Sequence, residues 1–216
     1  MCHNSDKAHT IIKTGEKTMD YLILVNSFEP LPKGYEKRIK LKAFGGKLFE
    51  TQTADALAAL MNDAEKCKAP LKIISGYRSE DHQHMLWEKE ISKEMGNGLD
   101  YRSAVAKVGR TLALPGASEH ETGLAVDFAL PGTDDVSFSF AKSAQAVWLE
   151  QNAHKYGFIL RYPRLKEHIT GIDFEPWHYR YVGTESAVMI KQNGICLEEF
   201  LNYYQDKYVN STNKGI

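Results

Sequence analysis

Eight histidines are spread over the 216 residues, and two passages set one of them beside acidic residues in a pattern that suits a metal ion. In Ser118-Glu119-His120-Glu121-Thr122-Gly123-Leu124-Ala125-Val126-Asp127, a loop histidine precedes a carboxylate, with a glycine between them to let the backbone turn. In Glu175-Pro176-Trp177-His178, a carboxylate stands three residues before a histidine. A catalytic zinc site takes three nitrogen or oxygen ligands from the protein and keeps one position open for water. His120, Asp127 and His178 supply that number and those types. A separate carboxylate must then accept the proton of a water whose pKa the metal has lowered to about 7, and Glu175, set apart from His178 by the rigid Pro176, is the candidate. Attack on an amide builds negative charge on the carbonyl oxygen, which a fixed cation stabilises; Arg78, in a turn, is placed to serve.

Spacing alone leaves plainer readings open. His120 could be a surface loop histidine and His178 a half-buried strand histidine bonded to backbone. Asp127 could end a strand in a salt bridge to an arginine, Glu175 could be a solvated loop acid, and Arg78 could pair with Glu80 or Asp81. His82 and His84 are two residues apart on a predicted helix, hence on different faces, which argues against a second metal site there.

The elements that must position these residues follow from periodicity. Leu57, Leu60, Met61 and Ala64 recur at helical steps between Thr51 and Lys66. Leu71 to Ile74 predicts a short buried strand running into Ser75-Gly76-Tyr77-Arg78-Ser79, where Ser79 caps a helix carrying Met85, Leu86 and Trp87. A further helix is predicted from Tyr101 to Leu112, closed by Leu114-Pro115-Gly116 before the loop that reaches His120. From Gly123 to Leu130, bulky Leu124, Val126 and Phe128 alternate with Ala125, Asp127 and Ala129, so Asp127 belongs to the face away from the bulky side chains. Helix is predicted again over 140–155 and 197–208, and strand over 158–162 and 177–182. Helices and strands mix without a βαβ rhythm, so the expected class is α+β.

Composition narrows the rest. The length suits one domain, expected over 20–209 between tails at 1–19 and 210–216. A formal charge of -1 from 27 basic and 28 acidic residues, without a basic block, argues against nucleic acid as a partner. No apolar run approaches the roughly 20 residues that span a bilayer. The polar start lacks a secretory signal pattern, which predicts a cytoplasmic chain as written, or one facing the cell envelope if an N-terminal anchor has been lost. Cys2, Cys67 and Cys196 lie far apart and read as free thiols.

Four blocks carry a resemblance: S-G-Y-R-S at 75–79 with Gln83, L-P-G-A-S-E-H-E-T-G-L-A-V-D-F at 114–128, N-A-H-K-Y-G-F-I-L-R-Y-P at 152–163, and I-T-G-I-D-F-E-P-W-H-Y-R-Y-V-G at 169–183. Together, over roughly residues 70–205, they closely resemble the VanY and VanXY type D-alanyl-D-alanine carboxypeptidases. The resemblance implies an α+β domain whose small antiparallel sheet, flanked by helices, carries Zn2+, a fold shared with lysostaphin-type endopeptidases and the hedgehog signalling domain. It matches His120, Asp127 and His178 to the zinc ligands, Glu175 to the catalytic base, and Arg78 to the arginine that polarises the scissile carbonyl. Ser118 and Gln83 fall where family members contact the substrate peptide.

The activity so implied is removal of the C-terminal D-alanine from peptidoglycan stem peptides or their precursors, which would also delete the vancomycin target. L,D-carboxypeptidase and D,D-dipeptidase activities are the alternatives within the family, and a catalytically silent zinc-binding module is the alternative outside enzymes. The loop from Pro131 to Phe140 is expected to shape the pocket and the choice of substrate.

Overall fold

A computed structural model describes residues 20–203; the expected tails and the end of the helix predicted to reach Tyr208 lie outside the described residues. A hairpin of β1 (Leu41–Phe44) and β2 (Lys47–Glu50) leads directly into α1 (Thr51–Lys66). Glu50 caps α1, its carboxylate accepting the backbone N–H of Thr53 at 3.0 Å. Then come β3 (Lys72–Ser75), α2 (Glu80–Gly96), α3 (Tyr101–Val108), β4 (Ala125–Ala129), α4 (Ala144–Asn152), β5 (Phe158–Leu160), α5 (Glu167–Thr170), β6 (His178–Tyr181), α6 (Thr184–Asn193) and a last helix, α7, over 197–203.

The strands β3, β4, β6 and β5 lie side by side in that order, all antiparallel, with helices packed around them. This is the α+β class expected. The two central strands, β4 and β6, put opposite chemistry on their two faces. Val126 pairs with Tyr179, and both enter the main core with Leu57, Leu60 and Ala64 of α1 and Leu149 of α4. On the other face Asp127 stands directly opposite His178, and Ala125 opposite Arg180. The pleat therefore drives aromatic and aliphatic bulk one way and Asp127, His178 and Arg180 the other.

Several boundaries differ from the expectation. The stretch predicted as one helix over 140–155 is α4 bracketed by 3-10 turns at Phe138–Lys142 and Ala153–Tyr156, with Ser143 capping α4. The β1–β2 hairpin and α6 carry no clear periodic signal in the sequence. The exposed pattern of β1 leaves no apolar alternation to read, and α6 buries only Ala187 and Ile190 in its ten residues. Cys67 is exposed and Cys196 buried, both as free thiols. Among the described residues no helix is long and apolar enough to cross a membrane.

Candidate metal centre and active-site pocket

The segment Glu119–Thr122 forms a tight 3-10 turn that delivers His120 from the loop to the start of β4. Ser118 opens it, its hydroxyl accepting the backbone N–H of His120 at 3.3 Å. Gly123 closes it with φ +72°, where a Cβ would stand 2.8 Å from the backbone nitrogen of Glu50. Only glycine meets both demands. His120 is therefore no surface residue: it is 3% exposed, and its Nδ1 lies 2.8 Å from the carbonyl of Gly76.

That carbonyl is an acceptor, so Nδ1 carries the proton and Nε2 presents a lone pair. Nε2 is buried without a hydrogen-bond partner, although the Asp127 carboxylate stands 3.1 Å away. Two acceptors facing each other at that distance repel unless a cation lies between them. The third group is His178, whose Nδ1 is 3.0 Å from the other Asp127 oxygen. One donor atom from each of His120, Asp127 and His178 falls within 4.8 Å of the others, a set that could hold a metal ion. Their nitrogen and oxygen chemistry fits zinc.

Glu175 and Arg78 enter the same space. Glu175 is buried, with one carboxylate oxygen 3.9 Å from His178 Nδ1. Its main chain is pinned twice: its N–H donates to Tyr162 O at 3.1 Å, and its carbonyl accepts from the N–H of His178. Arg78 makes no ion pair with Glu80 or Asp81. Its guanidinium donates to Ser75 Oγ at 2.9 Å, to Gln83 Oε1 at 3.0 Å and to Asp127 Oδ2 at 3.0 Å. Three of its five N–H groups are thus engaged, and two are left over. A cavity of about 160 Å³ is lined by Arg78, Ser118, His120, Asp127, Glu175 and His178, walled by Leu112, Val136, Tyr162 and Trp177. Val136 comes from the 131–140 loop, and Phe138 of that loop packs edge-on against Trp177 at 5.0 Å.

With this geometry in place, the comparisons are specific. A family model described as "VanY: D-alanyl-D-alanine carboxypeptidase" matches residues 46–184, well over half of the chain. The chain belongs to the VanY D-alanyl-D-alanine carboxypeptidase family. It is 34% identical over 193 residues to a D-alanyl-D-alanine carboxypeptidase of Enterococcus faecalis, covering 89% of this chain and 70% of the relative. A solved Zn(II) complex of a mutant VanY D,D-pentapeptidase from a VanB-type resistance cassette superposes with a TM-score of 0.76 at 35% identity, covering 85% of this chain and 99% of that one. VanYB in complex with D-alanine-D-alanine gives the same TM-score at 36% identity, over 84% and 97% of the two chains.

Electrostatics inside this VanY-type site follow from burial against neighbouring charge. Burial and the Arg78 cation pull His120 down to about 4, so its imidazole is neutral at any ordinary pH. Burial also opposes charge on His178, but hydrogen bonds to Asp127 and Glu119 outweigh it and lift this imidazole to about 9 in the metal-free site. Burial pushes Glu175 up to about 8, only partly offset by His178. Desolvation raises Asp127 too, yet the adjoining histidines hold its carboxyl well below the usual range.

Two sequence expectations meet a different placement or a gap. Gln83 is wholly buried behind Arg78, its amide nitrogen donating to Ala113 O at 2.7 Å and its oxygen accepting from Arg78; it does not line the cavity. Glu119 is a further residue of the site that its spacing does not mark. It is buried between Arg161 and Arg180, and its Oε2 lies 3.4 Å from His178 Nε2. The signal for it was present in His178-Tyr179-Arg180-Tyr181: strand alternation puts Arg180 on the same face as a candidate ligand, and a buried arginine demands an acid.

Proposed function

We propose that this chain is a zinc-dependent D,D-carboxypeptidase that removes the C-terminal D-alanine from peptidoglycan stem peptides or their precursors. The observation that carries the reading is the convergence, in one buried cavity, of the His120, Asp127 and His178 donors with Glu175 and Arg78. A module that only binds zinc has no use for the last two. His120, Asp127 and His178 would hold Zn2+, which would supply a Lewis acid that polarises the scissile carbonyl and makes a water acidic near neutral pH.

Glu175 takes the proton of that water and hands it to the leaving amine nitrogen as the C–N bond breaks. Burial raises this carboxyl to about 8 in the metal-free site, and a cation beside it would lower that value, which brings it into the range where it can both accept the water's proton and return it. The two unengaged N–H groups of Arg78 donate to the carbonyl oxygen as negative charge grows there. Gln83 serves by holding Arg78, and Ser118 contacts the peptide from the cavity wall. Action on precursors is the cytoplasmic form of this reading, and action on mature stems is the envelope-facing form.

The test is a panel of peptides ending in D-Ala-D-Ala, D-Ala-D-Lac or L-Lys-D-Ala, together with free D-Ala-D-Ala, followed by mass spectrometry with and without chelator. Chelator-sensitive release of D-alanine, fastest from stem pentapeptides ending in D-Ala-D-Ala, is expected. Preference for L-Lys-D-Ala would reassign the enzyme as an L,D-carboxypeptidase, and preference for the free dipeptide as a D,D-dipeptidase. Release from none of them would end the enzymatic reading.

A further inference from the structure

The face of the sheet opposite the main core holds a closed set of charges behind the metal-ligating residues. Glu119 Oε1 accepts from Arg161 Nε and from Arg180 Nη1, both at 2.7 Å. The far edge of Arg161 forms a two-pronged pair with Glu198 at 3.0 and 2.7 Å. Three further N–H groups of Arg180 donate to the carbonyls of Tyr181, Tyr21 and Ile23. Two cations thus meet two carboxylates, and every Glu119 side-chain atom is buried. With Oε1 clamped from two sides, Glu119 has one oxygen left, and that oxygen faces His178 Nε2 at 3.4 Å.

The packing around His178 fixes the plane of its ring without choosing between its two flips. Tyr162 lies against one side with centroids 4.9 Å apart, and His120 meets it edge-on at 5.0 Å. Rotation of an imidazole by half a turn about its Cβ–Cγ bond exchanges each nitrogen with a carbon. The flipped ring would fit the same slot but would present carbon to Asp127 and to Glu119. An acceptor at the Nε2 position rejects that flip and also keeps a proton on Nε2, so that Nδ1, which faces Asp127, is the nitrogen that gives up its proton to a metal.

We propose that Glu119 is a positioning residue of the metal centre: clamped by Arg161 and Arg180, its carboxylate accepts the Nε2–H of His178 and holds that ring with Nδ1 directed at the metal. The inference rests on the zinc reading above, and its test separates the two. Partners of this kind behind a ligating histidine typically change metal affinity about 10–100-fold.

The informative comparison is Glu119→Gln against Glu198→Gln in the full chain. Each removes one carboxylate charge from the same buried network, but only Glu119 touches His178. In Glu119→Gln the two arginines retain the amide oxygen, so the amide NH2 faces His178 Nε2 and forces the proton onto Nδ1, the wrong nitrogen. Zinc affinity is measured by competition with a chromophoric chelator, the visible spectrum of the cobalt-substituted protein is recorded, and metal-free melting temperatures are taken.

Both variants are expected to melt lower than the parent. Glu119→Gln should weaken zinc about 10–100-fold and alter the cobalt bands, while Glu198→Gln should leave both near the parent's. Should Glu119→Gln fail to fold, Glu119→Asp keeps the charge balance of the network but withdraws the carboxylate from His178, and it should lose zinc affinity. Equal zinc affinity in Glu119→Gln, or in a folded Glu119→Asp, and the parent overturns the proposal, as does an equal loss in Glu119→Gln and Glu198→Gln. A parent protein that binds no zinc, or a His178→Ala variant that binds it normally, would instead overturn the zinc reading itself.

Discussion

Glu175→Gln tests whether one buried carboxyl serves chemistry at the expense of stability. Glutamine preserves the volume and leaves the backbone bonds to Tyr162 and His178 in place, but it cannot accept and return a proton. Turnover should fall about 10²–10⁴-fold, the usual worth of a general base, with zinc content unchanged because Glu175 is outside the donor set.

Stability should move the other way. The folded carboxyl titrates near 8 and the unfolded one near 4.5, so the native state holds a proton that the unfolded state releases between those values. A raised carboxyl pKa of this kind leaves stability intact below about pH 4.5 and removes it progressively up to about pH 8. At roughly 1.4 kcal/mol per pH unit, the loss at pH 7 is on the order of 3 kcal/mol, and at pH 5 under about 1 kcal/mol. Glutamine escapes that loss. With about 2–4 °C per kcal/mol in a domain of this size, metal-free Glu175→Gln should melt up to about 6–12 °C above the parent at pH 7 and close to it at pH 5. The gain should shrink once zinc is added, since a cation beside Glu175 lowers its pKa. Thermal melts at the two pH values, with kcat and zinc content on the same preparations, decide the matter. A stability change independent of pH, or turnover within tenfold of the parent, would refute the reasoning.

Replacing His120, Asp127 or His178 by Ala should abolish tight zinc binding by elemental analysis, and full occupancy in all three would dismiss the donor set. Zinc binding should release a proton below about pH 9, because His178 must give up the one that Asp127 and Glu119 stabilise. Affinity should accordingly rise at least about tenfold per pH unit from pH 6 to 8, more where Glu175 also gives up its proton, and a pH-independent Kd would contradict the assignment. Arg78→Ala should lower kcat about 10²–10³-fold with KM little changed, while Arg78→Lys recovers part of the loss as a point charge without the fork. Near-parental kcat in a folded Arg78→Ala protein would remove Arg78 from the mechanism. Zinc content of both variants is checked in parallel, since the same guanidinium also holds Asp127.

Strand alternation from Leu124 to Ala129 was enough to set Asp127 apart from the bulky residues, because a pleat sends neighbours to opposite faces whatever the fold around them. Helical spacing likewise marked α1, and residue chemistry with the matching blocks singled out His120, Asp127, His178, Glu175 and Arg78. What no local pattern contains is who stands opposite whom. The pairing of β4 with β6 sets Asp127 against His178 across 51 positions of sequence, and it is a register, decided only when both strands join one sheet.

The same holds for the roles of Gln83 and Glu119. Gln83, expected at the substrate, lies behind Arg78, and Glu119, which no local pattern marks, lies against the candidate ligand His178. Each is defined by partners distant in the chain, Ala113 for Gln83 and Arg161, Arg180 and His178 for Glu119. Residue type and spacing settle which groups are able to do chemistry. Burial settles which of them hold a proton, and the tertiary fold alone decides burial, because desolvation depends on what covers a group and not on what precedes it.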